Sequence, residues 1–138
     1  MDEGTRGFDL ELRLVRFSGS VADIVEVLPE SRVGNHIAGQ LLRAGTAPAP
    51  DYAEALGAES RRDFIHKLKV GLKELRETAV WLKLIQHRQL APPGDILDKA
   101  ANECNELTAI FVASIATARR NMMKEQGNNE YGTRNKKY

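Results

Sequence analysis

Few side chains in this 138-residue chain have the type and spacing that enzyme chemistry requires. Its three histidines, His36, His66 and His87, form no HExxH or ExxH motif of the kind that binds zinc or paired irons. His66 also lies one helical turn from Arg62 and Lys69, whose positive charges disfavour a metal cation. The pattern therefore predicts no metal site, and we expect solvated surface histidines instead.

Nucleophilic catalysis has no better basis in the sequence. There is no GxSxG motif and no phosphate-binding glycine loop, and Cys104 is the only cysteine. An intrachain disulfide is therefore impossible. Cys104 lies one helical repeat from Ala100 and Leu107, so its predicted role is packing. We expect a non-enzymatic protein without a cofactor or a small-molecule substrate.

A basic stripe is the main candidate binding feature. Its members recur at helical spacing and would share one helix face about 30 Å long. They are Arg62, His66, Lys69, Lys73, Arg76 and Lys83. Such a face could follow a phosphate backbone, which favours nucleic-acid binding. The alternative is a solvated or internally paired surface, since no aromatic residue is interleaved for base stacking.

A second stripe on the same helix carries apolar side chains outside the predicted core. It contains Val70, Glu74, Glu77, Trp81 and Leu84. The segment VWLKLI is apolar nearly all round, and a monomeric bundle would expose it. We expect Val70, Trp81 and Leu84 to lie in a subunit interface. The alternative is that a kinked second helix or the chain ends cover them.

Both stripes lie on residues 60–88, the longest periodic segment, which predicts one long helix. Ser60 followed by Asp63 predicts its N-cap. Three further helices are predicted, at about 8–28, from Gly34 or Asn35 to Gly57, and at about 95–120. Four amphipathic helices joined by short connections predict an all-α, antiparallel up-down-up-down four-helix bundle.

Two prolines interrupt the second predicted helix. Pro48 and Pro50 lack an amide hydrogen, and their rings clash with the carbonyls of Ala44 and Thr46. The sequence therefore predicts that helix two is kinked or broken near Thr46–Pro50.

One domain is predicted, at residues 8–120. Residues 1–7 are predicted to form a flexible N-terminus, and residues 121–138 a disordered basic tail.

The predicted long helix is strongly basic. Residues 60–88 hold eight Lys or Arg and three acidic residues, and we expect the acidic first and fourth predicted helices to offset part of this charge. The start of the chain lacks a secretory signal core, and the longest charge-free run, 107–118, is too short to cross a bilayer. We expect a cytoplasmic protein with no membrane partner.

Three blocks of sequence resemble a known family. They are QLLRAGT at residues 40–46, AEALGAES at residues 53–60 and LKELRET at residues 72–78. Together they are similar to the four-helix-bundle family of the 23S rRNA intervening-sequence proteins, over about residues 8–118. The resemblance implies a small bacterial cytosolic bundle that forms a homopentamer.

A related branch of that family extends these expectations. It comprises the accessory proteins of diversity-generating retroelements, pentamers that bind nucleic acid and a reverse transcriptase. This chain departs from the family pattern at Asp51, where the family usually has Asn, and its formal net charge of +1 differs from the strongly basic accessory proteins. We expect a homo-oligomer, a pentamer by resemblance, that binds RNA or an RNA-protein assembly. The alternative is a protein-interaction scaffold without a nucleic-acid role.

Overall fold

The computed structural model describes the backbone of residues 3–136 and the side chains of residues 10–128. Over the described backbone the chain forms five α-helices and no strand. Their bounds are α1 Glu3–Val27, α2 Arg32–Thr46, α3 Pro48–Leu56, α4 Arg61–His87 and α5 Ile96–Lys136. None of these helices, as far as they are described, combines the length and apolar content needed to cross a membrane.

α2 and α3 together form one arm of the bundle, bent by 20°. α2 ends at Thr46, and Pro48 is the first residue of α3. The chain continues as a helix directly after the break, because Ala47 keeps helical dihedral angles. The carbonyl of Ala47 accepts a hydrogen bond from the amide of Asp51 at 3.1 Å. Proline interrupts the hydrogen-bond ladder without reversing the chain. The predicted kink near Thr46–Pro50 is confirmed.

The four arms close into a ring in chain order. α1 packs on the α2–α3 arm, that arm packs on α4, α4 packs on α5, and α5 returns to α1. α1 and α4 therefore occupy opposite corners. Because short connections join successive arms, neighbouring arms run antiparallel. The predicted all-α, up-down-up-down four-helix bundle is confirmed.

The core is built from the apolar stripe that each arm turns inward. Its largest almost fully buried side chains are Phe17, Phe111, Leu14, Ile24, Ile37, Leu41, Leu68, Leu75, Leu82, Ile85 and Leu107. Burying each such side chain contributes about 2 kcal/mol relative to exposure. Packing, more than helix propensity, therefore holds the arms together.

Serine N-caps set the starts of two helices. The Oγ of Ser60 accepts from the amide of Asp63 at 3.0 Å, which confirms the predicted cap of α4. The Oγ of Ser31 accepts from the amide of Gly34 at 3.0 Å. α2 therefore begins at Arg32, before the predicted start at Gly34 or Asn35.

α5 continues beyond the predicted end near Arg120 and reaches Lys136. Met122 packs against the core, and Nη2 of Arg61 in α4 contacts Oε1 of Glu125 at 2.6 Å. No proline follows to stop the helix. These contacts favour a helix where the polar, glycine-containing sequence predicted a disordered tail from residue 121.

The first helix also starts earlier than expected. α1 begins at Glu3, inside the segment 1–7 for which we predicted a flexible N-terminus. Residues 1 and 2 of the predicted flexible N-terminus lie outside the described residues. Residues 137 and 138 of the predicted tail also lie outside them.

Candidate nucleic-acid interface

The six residues of the predicted basic stripe lie on the outward face of α4. All are exposed: Arg62, His66, Lys69, Lys73, Arg76 and Lys83. Steps of three, four and seven residues return to the same side of an α-helix. The buried residues Leu68, Leu75 and Leu82 fix the rotation of α4 about its axis. Core packing therefore turns the whole basic stripe toward solvent.

Ion pairs engage other basic residues of α4. Lys67 contacts Glu54 of α3 at 3.4 Å, and Arg61 contacts Glu125 of α5 at 2.6 Å. Among the described side chains, no ion pair includes a residue of the basic stripe. The stripe therefore carries charge that its own fold does not neutralise.

Acidic residues of α1 and α5 were expected to offset part of the charge of α4, and among the described side chains they do not reach the basic stripe. Glu103 and Glu106 of α5 contact Arg13 of α1, at 2.5 and 2.9 Å. They are committed to the α1–α5 seam, away from the stripe. α1 occupies the corner opposite α4, so its own carboxylates face a different side of the bundle. These carboxylates therefore lie away from the basic stripe, whereas Arg61 and Lys67 of α4 do have acidic partners.

Arg119 of α5 adds a cation that the sequence prediction missed. Together with Lys69, Lys73 and Arg76 it lines an open groove of about 550 Å³ between α4 and α5, which we call the α4–α5 groove. The floor of this groove is apolar and consists of Leu72, Val112, Ile115 and Ala116. Cations from two helices therefore stand above a common apolar surface.

A smaller groove extends this basic surface toward the start of α4. It measures about 280 Å³, shares Lys69 and Arg119 with the α4–α5 groove, and adds Arg62 and His66. Lys83 lines neither groove and continues the stripe toward the end of α4. The structure thus brings five of the six predicted residues to two adjoining grooves.

Trp81 lies half-buried in the seam between α2 and α4. Its Nε1 donates to Oε2 of Glu77 at 3.0 Å, and the ring of His36 meets it edge-on, with ring centroids 5.9 Å apart. Arg43 of α2 donates to Glu74 at 3.1 Å and also to Glu77. α2 therefore covers part of the ring that we expected in a subunit interface.

The other two interface candidates differ in exposure. Leu84 is half-buried and packs against the core, whereas Val70 is 36% exposed. Val80, between them in sequence, is 59% exposed. Val70 shares one side of α4 with Trp81, whereas Val80 falls at helical spacing between Arg76 and Lys83 on the face of the basic stripe.

The potentially reactive side chains do not converge. His36 lies on α2, and His66 and His87 lie near opposite ends of α4. No three His, Cys, Asp or Glu side chains in the described part of the chain are grouped to hold a metal ion. Cys104 is buried, its thiol donates to the carbonyl of Leu75 at 3.2 Å, and burial raises its pKa to about 11. A thiol in this setting is a core group and a poor nucleophile.

Asp51 has a buried carboxylate oxygen, Oδ2, with no hydrogen-bond partner. Burial raises the pKa of this carboxyl, and the nearby carboxylates of Glu54 and Glu74 raise it further, against the opposing effect of Lys67. Its Cβ lies 3.5 Å from where a Cβ on Gly71 would stand, so the side chain lies against the backbone of α4. Its environment favours the protonated form and costs stability when the group ionises.

Fold and surface together define a class, an antiparallel four-helix bundle with an unneutralised basic helix face. A family model described as 23S rRNA-intervening sequence protein matches residues 13–113. The chain belongs to this family, which confirms the resemblance drawn from its three sequence blocks. Arg119 lies beyond the matched residues.

A solved structure supports the same assignment. It is the crystal structure of a protein with unknown function from the S23 ribosomal protein family of Bacteroides thetaiotaomicron VPI-5482. The two chains are 26% identical with a TM-score of 0.70, and the match covers 77% of this chain and 97% of that chain. No curated protein matches the sequence.

Proposed function

We propose that this protein is a non-enzymatic, homo-oligomeric bundle of the bacterial cytoplasm that binds RNA or an RNA-protein assembly. One observation carries the proposal: the basic stripe of α4 is exposed and has no acidic partner among the described side chains. Periodic positive charge over about 30 Å favours a polyanion. The description of the matched family names 23S rRNA, which makes RNA the first polyanion to test.

Self-association is the second part of the proposal. Val70, with Trp81 and Leu84 on the same side of α4, supplies an apolar surface that a second subunit would bury. Burial contributes about 25 cal/mol per Å² of apolar area, and ring closure repeats that gain at every interface. The number of subunits, five, rests on the family resemblance alone.

The experiment that tests RNA binding is a salt titration. Purified protein is mixed with labelled structured RNA, and the dissociation constant is measured from 50 to 200 mM salt. If the six stripe residues contact phosphates, affinity should fall on the order of 10³-fold over that range. Failure to bind any RNA at the lowest salt would reject the proposal.

A matched pair of double variants locates the surface. Lys69→Gln with Lys73→Gln removes two charges from the basic stripe, whereas Arg16→Gln with Lys99→Gln removes two charges from a groove between α1 and α5. Only the first pair should flatten the dependence of affinity on salt, by roughly two phosphate contacts. Equal effects would indicate diffuse charge attraction rather than a site on α4.

The alternative function is a protein-interaction scaffold without a nucleic-acid role. The exposed fractions of Val70 and Val80 favour it, because apolar surface attracts protein more readily than RNA. A scaffold would bind its partner with little dependence on salt. The same titration therefore separates the two functions.

A further inference from the structure

The α4–α5 groove has cations on both rims. Lys69, Lys73 and Arg76 stand on the α4 rim, and Arg119 stands on the α5 rim. All four are exposed, and none joins an ion pair among the described side chains. An anionic chain can therefore lie along the groove without displacing a carboxylate that belongs to the fold.

The lining of the groove also disfavours one mode of RNA recognition, stacking of single-stranded bases on aromatic rings. It contains no Phe, Tyr or Trp and no neutral hydrogen-bonding side chain. Proteins that bind single strands gain about 1–3 kcal/mol per base from stacking on aromatic rings. Recognition of base edges requires both hydrogen-bond donors and acceptors. The Lys and Arg side chains on the rims of this groove can only donate. A splayed base could therefore stack only on the guanidinium planes of Arg76 and Arg119, with no aromatic ring to hold it.

We propose that the α4–α5 groove binds the sugar-phosphate backbone of double-helical RNA, independently of its sequence, with Arg119 as a phosphate contact. This inference rests on the proposed RNA-binding function and specifies its substrate class. A duplex presents its backbone already ordered, whereas a single strand loses conformational freedom when a groove aligns it. The apolar floor, at Leu72, Val112 and Ile115, is suited to contact the carbon atoms of the riboses.

Two neighbouring arginines provide a matched test. Arg119 lines the groove, whereas Arg120 lines neither groove and donates to Oγ1 of Thr117 at 3.2 Å. Both are exposed, so Arg119→Gln and Arg120→Gln each remove one surface charge from the same turn of α5. The full chain and both variants are titrated by fluorescence anisotropy over a range of salt. The probes are two unrelated RNA duplexes of about 16 base pairs, the span of a double-stranded RNA-binding domain, and an oligouridine of equal nucleotide count.

We expect the two duplexes to bind with similar affinity, and both more tightly than oligouridine. Arg119→Gln should lower the slope of log affinity against log salt by about 0.9, the value of one phosphate contact, while Arg120→Gln leaves it unchanged. Tighter binding of oligouridine, equal effects of the two variants, or equal competition by poly-glutamate would each overturn the inference. If oligouridine binds more tightly and its affinity depends on salt, the duplex inference fails but the proposed RNA-binding function stands. If no RNA binds, both the inference and the proposed function are rejected.

Discussion

Gly71 of α4 lies directly against the ring of Phe111 in α5. A Cβ on Gly71 would come within 2.6 Å of Cε2 of Phe111, and the phenylalanine is only 1% exposed. The missing side chain lets the two helices approach closely at this point. The same contact helps to set the register that brings Arg119 to the groove shared with Lys69.

Gly71→Ala should destabilise the bundle by about 1–3 kcal/mol, because the added methyl group overpacks the core against Phe111. Gly39→Ala is the matched control, since Gly39 lies inside α2 and a Cβ added there would have no neighbour within 4 Å. It should stabilise the protein by up to about 1 kcal/mol through helix propensity alone. Urea denaturation followed by circular dichroism measures both, and a Gly71→Ala protein as stable as the wild type would contradict this packing.

Asp51→Asn should stabilise the protein at pH 7, because the amide removes a negative charge that burial and the carboxylates of Glu54 and Glu74 disfavour there. Because the pKa of Asp51 is raised in the folded state, the protonated carboxyl is the form that the fold tolerates. The folded protein is therefore more stable at low pH, and it loses this stability as the pH rises through the folded-state pKa and the carboxyl ionises. The gain from Asn should therefore shrink below pH 3.8, the ordinary pKa, where Asp is protonated in both states.

Urea titrations at pH 7 and pH 3 test this difference, with Asp23→Asn on the exposed face of α1 as the control. The control should change stability by less than about 0.5 kcal/mol at either pH. A stabilisation by Asp51→Asn that is the same at both pH values would show that ionisation of the carboxyl is not its cause.

Cys104 should react slowly with an aromatic disulfide reagent at pH 8. Its thiol is buried, and a pKa of about 11 leaves little thiolate, which is the reactive form. Labelling should accelerate in urea and, at equal urea, should be faster in Gly71→Ala because opening of the α4–α5 contact exposes the thiol. A native rate close to that of the unfolded chain would refute the packing role.

The wild-type protein should run as an assembly several times its 15.3 kDa chain mass, a pentamer by family resemblance. Trp81→Glu should place a charge in the proposed interface and yield smaller species without unfolding the bundle. Val70→Glu should do the same, and it avoids the contact between Trp81 and His36. Size exclusion coupled to light scattering measures the masses.

Val15→Glu provides the control for this experiment, since Val15 is a 53% exposed residue of α1 outside the predicted interface. It should keep the mass of the wild-type assembly. A wild-type mass near that of one chain would reject the oligomer, and full-mass assemblies of both α4 variants would reject this interface.

α4 was predictable from sequence because local signals and packing agree there. Ser60 caps the helix, the apolar period marks Leu68, Leu75 and Leu82 as core, and the basic stripe follows as the remaining face. The bend at Pro48 was equally readable, since proline acts through its own backbone. Each of these features depends on residues close together in the chain.

Features that depend on two distant helices were not predictable in the same way. Arg119 joins the groove only through the register of α5 against α4, which the packing of Phe111 on Gly71 helps to determine. The contact of Arg61 with Glu125 on the continued part of α5 likewise joins residues 64 positions apart in sequence. The periodicity of one helix contains no information on either relationship.

The placement of α1 and α4 at opposite corners separates charge across the described part of the bundle, which gives that part an electric dipole. Exposed Asp23, Glu26 and Glu30 lie on or next to α1, and the basic stripe lies on α4, although the formal net charge is only +1. In the field of a polyanion such a dipole experiences a torque that turns α4 forward before contact. Association should therefore be faster, and more sensitive to ionic strength, than the net charge indicates. The same asymmetry should retain a nearly neutral protein on both cation and anion exchangers at low salt.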